Sequence, residues 1–388
     1  QFFHLGRANM KKNILYLSPS NRWLGARISL HVLLKMLDKS KYHPVIVCPS
    51  REGPFAQVLE SDGFEVEYLR LWNWRKYKYL IHRSISVLRL RALVRKHNIH
   101  LIHCNEFWTA PYAYWSTIGM KIPIVSHVRL AMTSEKIRNY YLGKMWRIMC
   151  VCKALVEEFR EWPDYKSRVI PIYNGVDLTE YDPESVPSGK IRFEYHIPDD
   201  ALVIGLVGQI SARKGQDRLI RIAPDIIRQC PNVRFLIVGS SREPDYENEI
   251  HRMIAEMNLG QHFIFTGARR DMPEVYRALD ILVLPSSMEG FGRVVVEAEA
   301  MRIPVVASNM GGLVEVVDHG RTGFQFDNER DSDMSDALIR LCGDRPLREE
   351  MGRTGRDYVI ENFTQEIMAC KVTRLYEEVF AEARERSR

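Results

Sequence analysis

Short, nearly unbroken apolar runs recur along the chain, separated by longer stretches of helical period. In the first half the runs are "NILYLS" (13–18), "PVIVC" (44–48), "LIHC" (101–104), "PIVSH" (123–127), "RIMCV" (147–151) and "RVIPIY" (168–173). In the second half they are "LVIGLVG" (202–208), "RFLIVG" (234–239), "FIFTG" (263–267), "ILVLPS" (281–286) and "PVVAS" (304–308). Runs of Val, Ile and Leu without polar alternation fit strands covered on both faces. Strands of this kind alternating with helices predict parallel sheets with crossover connections, and the two sets predict two doubly wound α/β domains. Between the sets, "YNGVDLTEYDPESVPSGK" (173–190) is dense in turn formers and reads as a connector. The expected division is therefore 10–185, 186–365 and a closing segment 366–388. In that segment Ile367, Val372, Leu375 and Val379 recur at helical spacing, which predicts one helix packed back on the first domain.

Length and composition agree with this division. A chain of 388 residues exceeds one compact core, and at 46% hydrophobic and 27% charged it has the balance of a globular protein. No apolar run approaches the roughly 18 residues of a membrane-spanning helix. The seven cysteines are odd in number and scattered, which predicts reduced thiols, a cytoplasmic setting and no cysteine metal site. Residues 1–9, "QFFHLGRAN", lack the order of a signal peptide, whereas "MKKNILYLS" from Met10 reads as a natural start. Charge is uneven: up to residue 187, 28 Lys and Arg stand against 16 Asp and Glu, and beyond it 27 against 33.

In open α/β sheets, ligands bind beyond the carboxyl ends of the strands. Three loops of the second half leave strands there. In "VGQISARKGQD", Gly208 ends a strand, and Arg213 and Lys214 stand where a helix opens, an anion site in outline. In "PSSMEGFG", a Gly-Phe-Gly turn leads into a helix whose first amides point toward the same place. In "SNMGGLVEVV", Gly311-Gly312 allows another close backbone approach. Glu289 and Glu297 flank the second loop, and a carboxylate repels phosphate and only accepts hydrogen bonds. These residues together call for a ligand carrying both phosphates and hydroxyls, a nucleotide sugar.

The stretch E-G-F-G-x4-E-A, with "ILVLPSS" before it and "PVVASNMGGLVEVVDHGRTGF" after it, resembles the retaining glycosyltransferases of glycosyltransferase family 4, which share the GT-B fold. "VGQISARKG", "FTGARRDMPEVYRALDILVLPS" and "YNGVD" are similar to that family's landmarks in the same order. The resemblance implies two Rossmann-like domains facing across a cleft. It implies that Glu297 holds ribose hydroxyls, Glu289 contacts hydroxyls of the donor sugar, and Arg213 and Lys214 neutralise the diphosphate. Backbone of Gly290, Phe291, Gly292 and Arg293 would line sugar and phosphate, and the base would sit against Gly267, Ala268 and Arg269. In the first half, Gly25 of "NRWLGARISL" resembles the loop facing the diphosphate, and His127 of "PIVSHVRL" a histidine at the cleft rim that touches the donor sugar. Two departures stand out: Gln209 where many members carry Arg, and Leu24-Gly25 where Gly-Gly is common.

The implied reaction moves one sugar from a UDP- or GDP-sugar to a glycan or lipid-linked acceptor with retention of configuration, in polysaccharide or glycolipid synthesis. It uses no metal and no cofactor. The leaving phosphate would take the acceptor's proton, and cations would offset the charge growing on it. "DSD" (331–333) imitates a metal-binding motif of another fold but precedes "MSDALIRLC", and it reads as helix capping. Asn105 and Glu106 end a strand and could touch acceptor. Residues 68–105 contain no Asp or Glu but nine Lys and Arg, interleaved with Trp72, Trp74, Tyr77 and Tyr79. This composition suits an anionic membrane surface or a lipid-linked acceptor, with a peripheral place on the inner face of the cell membrane. Nucleic acid is disfavoured because no recognised binding module accompanies the basic stretch. A same-fold epimerase and a nonenzymatic nucleotide-sugar binder stay open, whereas a dehydrogenase lacks its GxGxxG turn.

Overall fold

The computed structural model describes residues 11–386; residues 1–9 and the start expected at Met10 lie outside them. The chain forms two compact units: the first ends at Gly175 and takes in the chain again from Gln365, and the second is Val176–Thr364. The division thus falls ahead of residue 185. The turn-rich connector is built into the second unit, where Val176 N–H donates to Phe363 O at 2.9 Å and Arg356 donates to Tyr181 O at 3.0 Å.

The first unit holds a parallel seven-stranded sheet: β1 (Lys12–Leu17), β2 (Tyr42–Cys48), β3 (Glu65–Tyr68), β4 (Leu101–Cys104), β5 (Ile124–Val128), β6 (Arg147–Cys150) and β7 (Val169–Pro171), in the order β3-β2-β1-β4-β5-β6-β7. The second unit holds a parallel six-stranded sheet: β8 (Leu202–Val207), β9 (Val233–Val238), β10 (Phe263–Gly267), β11 (Ile281–Leu284), β12 (Val305–Ser308) and β13 (Gly323–Phe326), in the order β10-β9-β8-β11-β12-β13. The interior strands β1, β8 and β11 are buried almost throughout, as their unbroken apolar runs require. Two strands escape the sequence pattern, β3 and β13, and both are edges. In β3 the residues run Glu65-Val66-Glu67-Tyr68 with no buried position, because an edge strand meets solvent.

Strand order reverses between β1 and β4 and again between β8 and β11. Loops leaving two such strands diverge and open a crevice at their carboxyl ends. The loops after β8 and β11 are those that carry Lys214 and Glu289.

The helix Gln365–Glu385 belongs to the first unit. Its inner face is Met368, Val372, Leu375, Tyr376, Val379 and Phe380, packed into the same core as Ile14, Tyr16, Leu33 and Ile46. Ile367 lies at the margin of that face, half-buried. Each fully buried side chain of this size contributes roughly 1.5–3 kcal/mol, so the helix is an integral wall of the unit. All seven cysteines are unpaired. Among the described residues no helix is long and apolar enough to cross a membrane.

Candidate functional site

In the second unit the loop after β8 ends in a short 3-10 turn, Ala212–Lys214, ahead of the helix Gln216–Gln229. Arg213 is exposed, and its guanidinium donates to Met288 O at 3.1 Å. Arg213 O in turn accepts from Ser287 N at 3.0 Å, so the loops after β8 and β11 are tied together. Lys214 points the other way and is buried; its stem crosses Gly208, where a Cβ would stand 3.3 Å from Lys214 Cε. Its ammonium lies 2.5 Å from Glu289 Oε2. The carboxylate and cation that the sequence placed on separate loops therefore meet at one point.

Gly290, Phe291 and Gly292, which follow Glu289 in the chain, are all buried. Gly292 caps the helix Arg293–Ala300 with φ of 88°, a conformation that suits glycine, while Leu313 Cδ2 would lie 2.6 Å from any Cβ there. Gly311 and Gly312 make the close backbone approach expected of them. A Cβ on Gly311 would stand 2.1 Å from Glu289 O, and one on Gly312 would stand 2.4 Å from Gly290 O. Gly312 N also donates to Glu289 O at 3.2 Å. Their close approach is to the Glu289–Phe291 backbone, which they hold in place.

One helical turn on, Glu297 is 6% exposed. Its Oε1 accepts from Arg293 at 2.9 Å and its Oε2 from the Tyr276 hydroxyl at 2.9 Å. An ionised carboxylate has about four acceptor positions, so this bracing fixes the group and still leaves it able to accept from a ligand. Tyr276 was not among the residues singled out from the sequence, although it lies in the "MPEVYRALD" block. Glu299 is fully buried, and burial pushes its carboxyl well above the usual range.

Gly267 and Ala268 are exposed at the end of β10. The Arg269 guanidinium is committed elsewhere: it pairs with Asp271 at 2.7 Å and Glu194 at 2.5 Å. What this loop offers a ligand is its backbone and small side chains. The capping assigned to "DSD" needs correction. Arg330 occupies the cap position with no side-chain cap bond, and Asp331 instead pairs with Arg218 at 2.6 Å.

In the first unit Gly25 is exposed and opens the helix Gly25–Met36. The strand-end residues after β4 lie beside it: Asn105 donates to Ala26 O at 3.1 Å, and Arg27 pairs with Glu106 at 2.8 Å. Both side chains are thus structural supports of the Gly25 loop. His127 is buried, 5% exposed, where a position at an open rim was expected. Its Nδ1 lies 2.8 Å from His103 Nε2, His103 Nδ1 lies 2.5 Å from the Tyr376 hydroxyl, and that hydroxyl lies 3.1 Å from the hydroxyl of Tyr16. This buried chain of polar groups fixes the ring of His127 and leaves its Nε2 as the remaining polar atom.

Burial holds His103 near 3, and burial with Arg129 nearby holds His127 well below 6.5. Both rings fold neutral, whereas in the unfolded chain they would gain protons near 6.5. The unfolded state therefore binds more protons between those limits, and stability, complete above pH 6.5, falls as pH drops through that window. Each histidine accounts for up to ~1.4 kcal/mol per pH unit in this range. Urea unfolding at pH 7, 6 and 5 is expected to show this acid loss, and His103→Asn to flatten it; a wild-type stability unchanged between pH 7 and 5 would contradict the neutral pair.

Two family profiles match the chain: "Glycosyltransferase Family 4" over residues 23–180 and "Glycosyl transferases group 1" over residues 188–358. Among curated proteins, the chain is 28% identical to a D-inositol 3-phosphate glycosyltransferase of Stackebrandtia nassauensis, covering 70% of this chain and 67% of that one. It is 29% identical to a GDP-mannose-dependent alpha-(1-6)-phosphatidylinositol monomannoside mannosyltransferase of Mycobacterium tuberculosis, covering 76% and 82%. Among solved structures, Anabaena HepE in complex with UDP and glucose superposes with a TM-score of 0.80 at 23% identity, over 94% of this chain and 99% of that one. A glycosyltransferase from Rickettsia africae superposes with a TM-score of 0.83 at 21% identity, over 95% and 99%. These two likenesses establish a shared GT-B fold.

Proposed function

The chain belongs to the group 1 glycosyltransferases of family 4, and from that premise we propose that it transfers a single sugar from a UDP- or GDP-sugar to a glycan or lipid-linked acceptor. The proposed reaction retains anomeric configuration, needs no metal, and serves polysaccharide or glycolipid synthesis in the cytoplasm. The observation that carries this reading is the Lys214–Glu289 pair at 2.5 Å beside the start of the helix Arg293–Ala300. Without ligand the two charges satisfy each other. A diphosphate would draw the ammonium and the helix amides to itself, and Glu289 would be released to accept from sugar hydroxyls.

In this assignment Lys214 and Arg213 stabilise the charge that grows on the leaving phosphate, Glu297 accepts from the ribose diol, and the Gly267–Ala268 backbone supports the base. Gly25 and His127 are assigned to the diphosphate and the donor sugar. The relatives' names include a GDP-mannose-dependent enzyme, and HepE was crystallised with UDP, which supports a nucleotide-sugar donor without choosing its base. A thermal-shift panel of UDP-, GDP- and ADP-sugars tests the donor assignment. One series is expected to stabilise the wild type and not Glu297→Ala; equal stabilisation of both would remove the ribose role.

A membrane-surface role for residues 68–105 belongs to the same proposal. Trp72 and Trp74 are half-buried, Trp74 packing on Tyr112 with ring centroids 5.1 Å apart. The exposed apolar groups instead include Tyr77 (90%), Leu80 (58%), Ile81 (74%), Ile85 (46%) and Leu88 (67%). On the helix Leu80–Lys96 the last three form one stripe at i, i+4 and i+7, flanked by Arg89, Arg95 and Lys96. An apolar stripe between cations suits the interface of an anionic bilayer. Flotation with anionic liposomes is expected to be lost in Ile81→Glu/Leu88→Glu; wild-type protein that stays at the bottom at low salt would contradict the role.

A further inference from the structure

A cavity of about 560 Å³ opens in the first unit, and none of the residues assigned to the donor lines it. It lies beyond the carboxyl ends of β1, β2 and β3, because its walls are the segments that follow those strands: Pro19–Arg22, Pro49–Ser50 and Arg70–Asn73, with Lys76 and Tyr79. Loops at that end of a parallel sheet are where such folds bind ligands.

Its lining has one sign of charge. Arg22, Arg70 and Lys76 contribute cations, and no Asp or Glu lines the space. Among the described residues none of these three makes an ion pair, although other cations of this unit do, as in Arg27–Glu106, Arg51–Glu60 and Arg147–Glu382. Three like charges around one concavity, with no internal counter-ion, favour an anion there.

The walls are also ordered. Asn21 donates to Ser50 O at 2.6 Å and to Glu52 O at 2.7 Å, which pins the first segment to the second. The Arg70 guanidinium lies over the Trp72 ring at 4.0 Å, and the Trp72 and Tyr79 rings lie 4.8 Å apart. Stacking holds the plane of Arg70 and leaves its N–H groups free for an oxyanion, while the aromatic pair offers an apolar wall to a sugar ring. Arg22 is three residues ahead of Gly25, so the cavity and the glycine assigned to the diphosphate share one loop.

We propose that this cavity binds the acceptor, and that the acceptor is a phosphorylated sugar whose phosphate is read by Arg22, Arg70 and Lys76 and whose ring rests on Trp72 and Tyr79. The inference rests on the transferase reading for the word acceptor, but the anion site stands on its own observations. The phosphate could belong to a free sugar phosphate or to a lipid-linked one. Tyr77 follows Lys76 directly and is exposed, four residues ahead of Ile81 in the apolar stripe, so either source has access.

The test measures binding of three probes to the intact protein by calorimetry: a hexose 1-phosphate, the corresponding neutral methyl hexoside, and a short-chain prenyl-phosphate hexose in detergent. The wild type is expected to bind at least one phosphorylated probe ten-fold or more tightly than the neutral one. Arg70→Gln/Lys76→Gln is expected to abolish that preference, and Lys35→Gln/Lys121→Gln, at exposed positions that do not line the cavity, to preserve it. Preference for the prenyl probe alone assigns the lipid-linked source, and equal binding of both phosphorylated probes the free one. No preference for phosphate, or a preference that survives in a folded Arg70→Gln/Lys76→Gln protein, or one lost equally in the control pair, overturns the proposal. Titrating UDP- and GDP-sugars into the same samples keeps the two readings apart: loss of donor binding with an intact phosphate preference refutes the transferase assignment and not the cavity.

Discussion

Lys214→Met is expected to lower kcat by roughly 10²- to 10³-fold with a much smaller change in KM for the donor. Lys214 is buried, its ammonium is 2.5 Å from Glu289, and it stands beside the helix that begins at Arg293. Charge on the leaving phosphate grows as the bond to the sugar breaks, so a fixed cation there contributes more in the transition state than in the ground state, and its loss appears in kcat. Methionine keeps the length of the stem across Gly208 and limits damage to packing. Steady-state kinetics with donor varied checks this. A fall in kcat below about five-fold in a folded variant would assign the leaving-group role to other groups, Arg213 first among them.

The second large effect concerns Glu297. Removing it as Glu297→Ala is expected to weaken nucleotide binding by roughly 10- to 100-fold, because a charge-assisted bond of about 1.5–3 kcal/mol is lost. It is also expected to destabilise the fold by about 1–3 kcal/mol, since Arg293 and the buried Tyr276 hydroxyl lose their acceptor. Tyr276→Phe separates the two effects: it removes one brace and leaves the carboxylate, so nucleotide affinity should fall far less. Calorimetric titration of both variants with the nucleoside diphosphate decides the matter. Matching losses would mean that Glu297 acts only as a brace.

The helix Arg293–Ala300 shows how far the sequence could be read. The spacing of Glu289 and Glu297 around a Gly-Phe-Gly turn pointed to one site, and the folded chain does bring Glu289 to Lys214. Glu297 and Glu299 look alike in "VEAEA"; only the packing distinguishes the braced carboxylate of Glu297 from the fully buried Glu299. The interior strands were legible because burial on both faces leaves a continuous apolar run. Two of the four edge strands carry no such mark: Glu65 and Glu67 in β3 and Gln325 in β13 read as loop.

Contacts between distant segments were the least legible part. The Glu297 brace spans 21 residues to Tyr276, and the His103–Tyr376 bond spans 273. No local period records such a partnership, so His127 read as an open strand-end group when the closing helix buries a polar chain behind it. For Gly311-Gly312 the close approach was legible and its partner was not. A glycine pair announces that something comes close, and here it is the backbone of Glu289 and Gly290 that does so.

Retaining transfer from a nucleotide sugar can be tested without knowing the acceptor, since water can take its place slowly. Early-time proton NMR of the protein with the α-linked UDP- or GDP-sugar that stabilises it most follows the anomer of the free sugar before it mutarotates. The α anomer should appear first, with an equal amount of nucleoside diphosphate, at a rate unchanged by EDTA and strongly reduced in Lys214→Met. The β anomer appearing first, an epimerised donor, or a donor that binds and stays intact would contradict it.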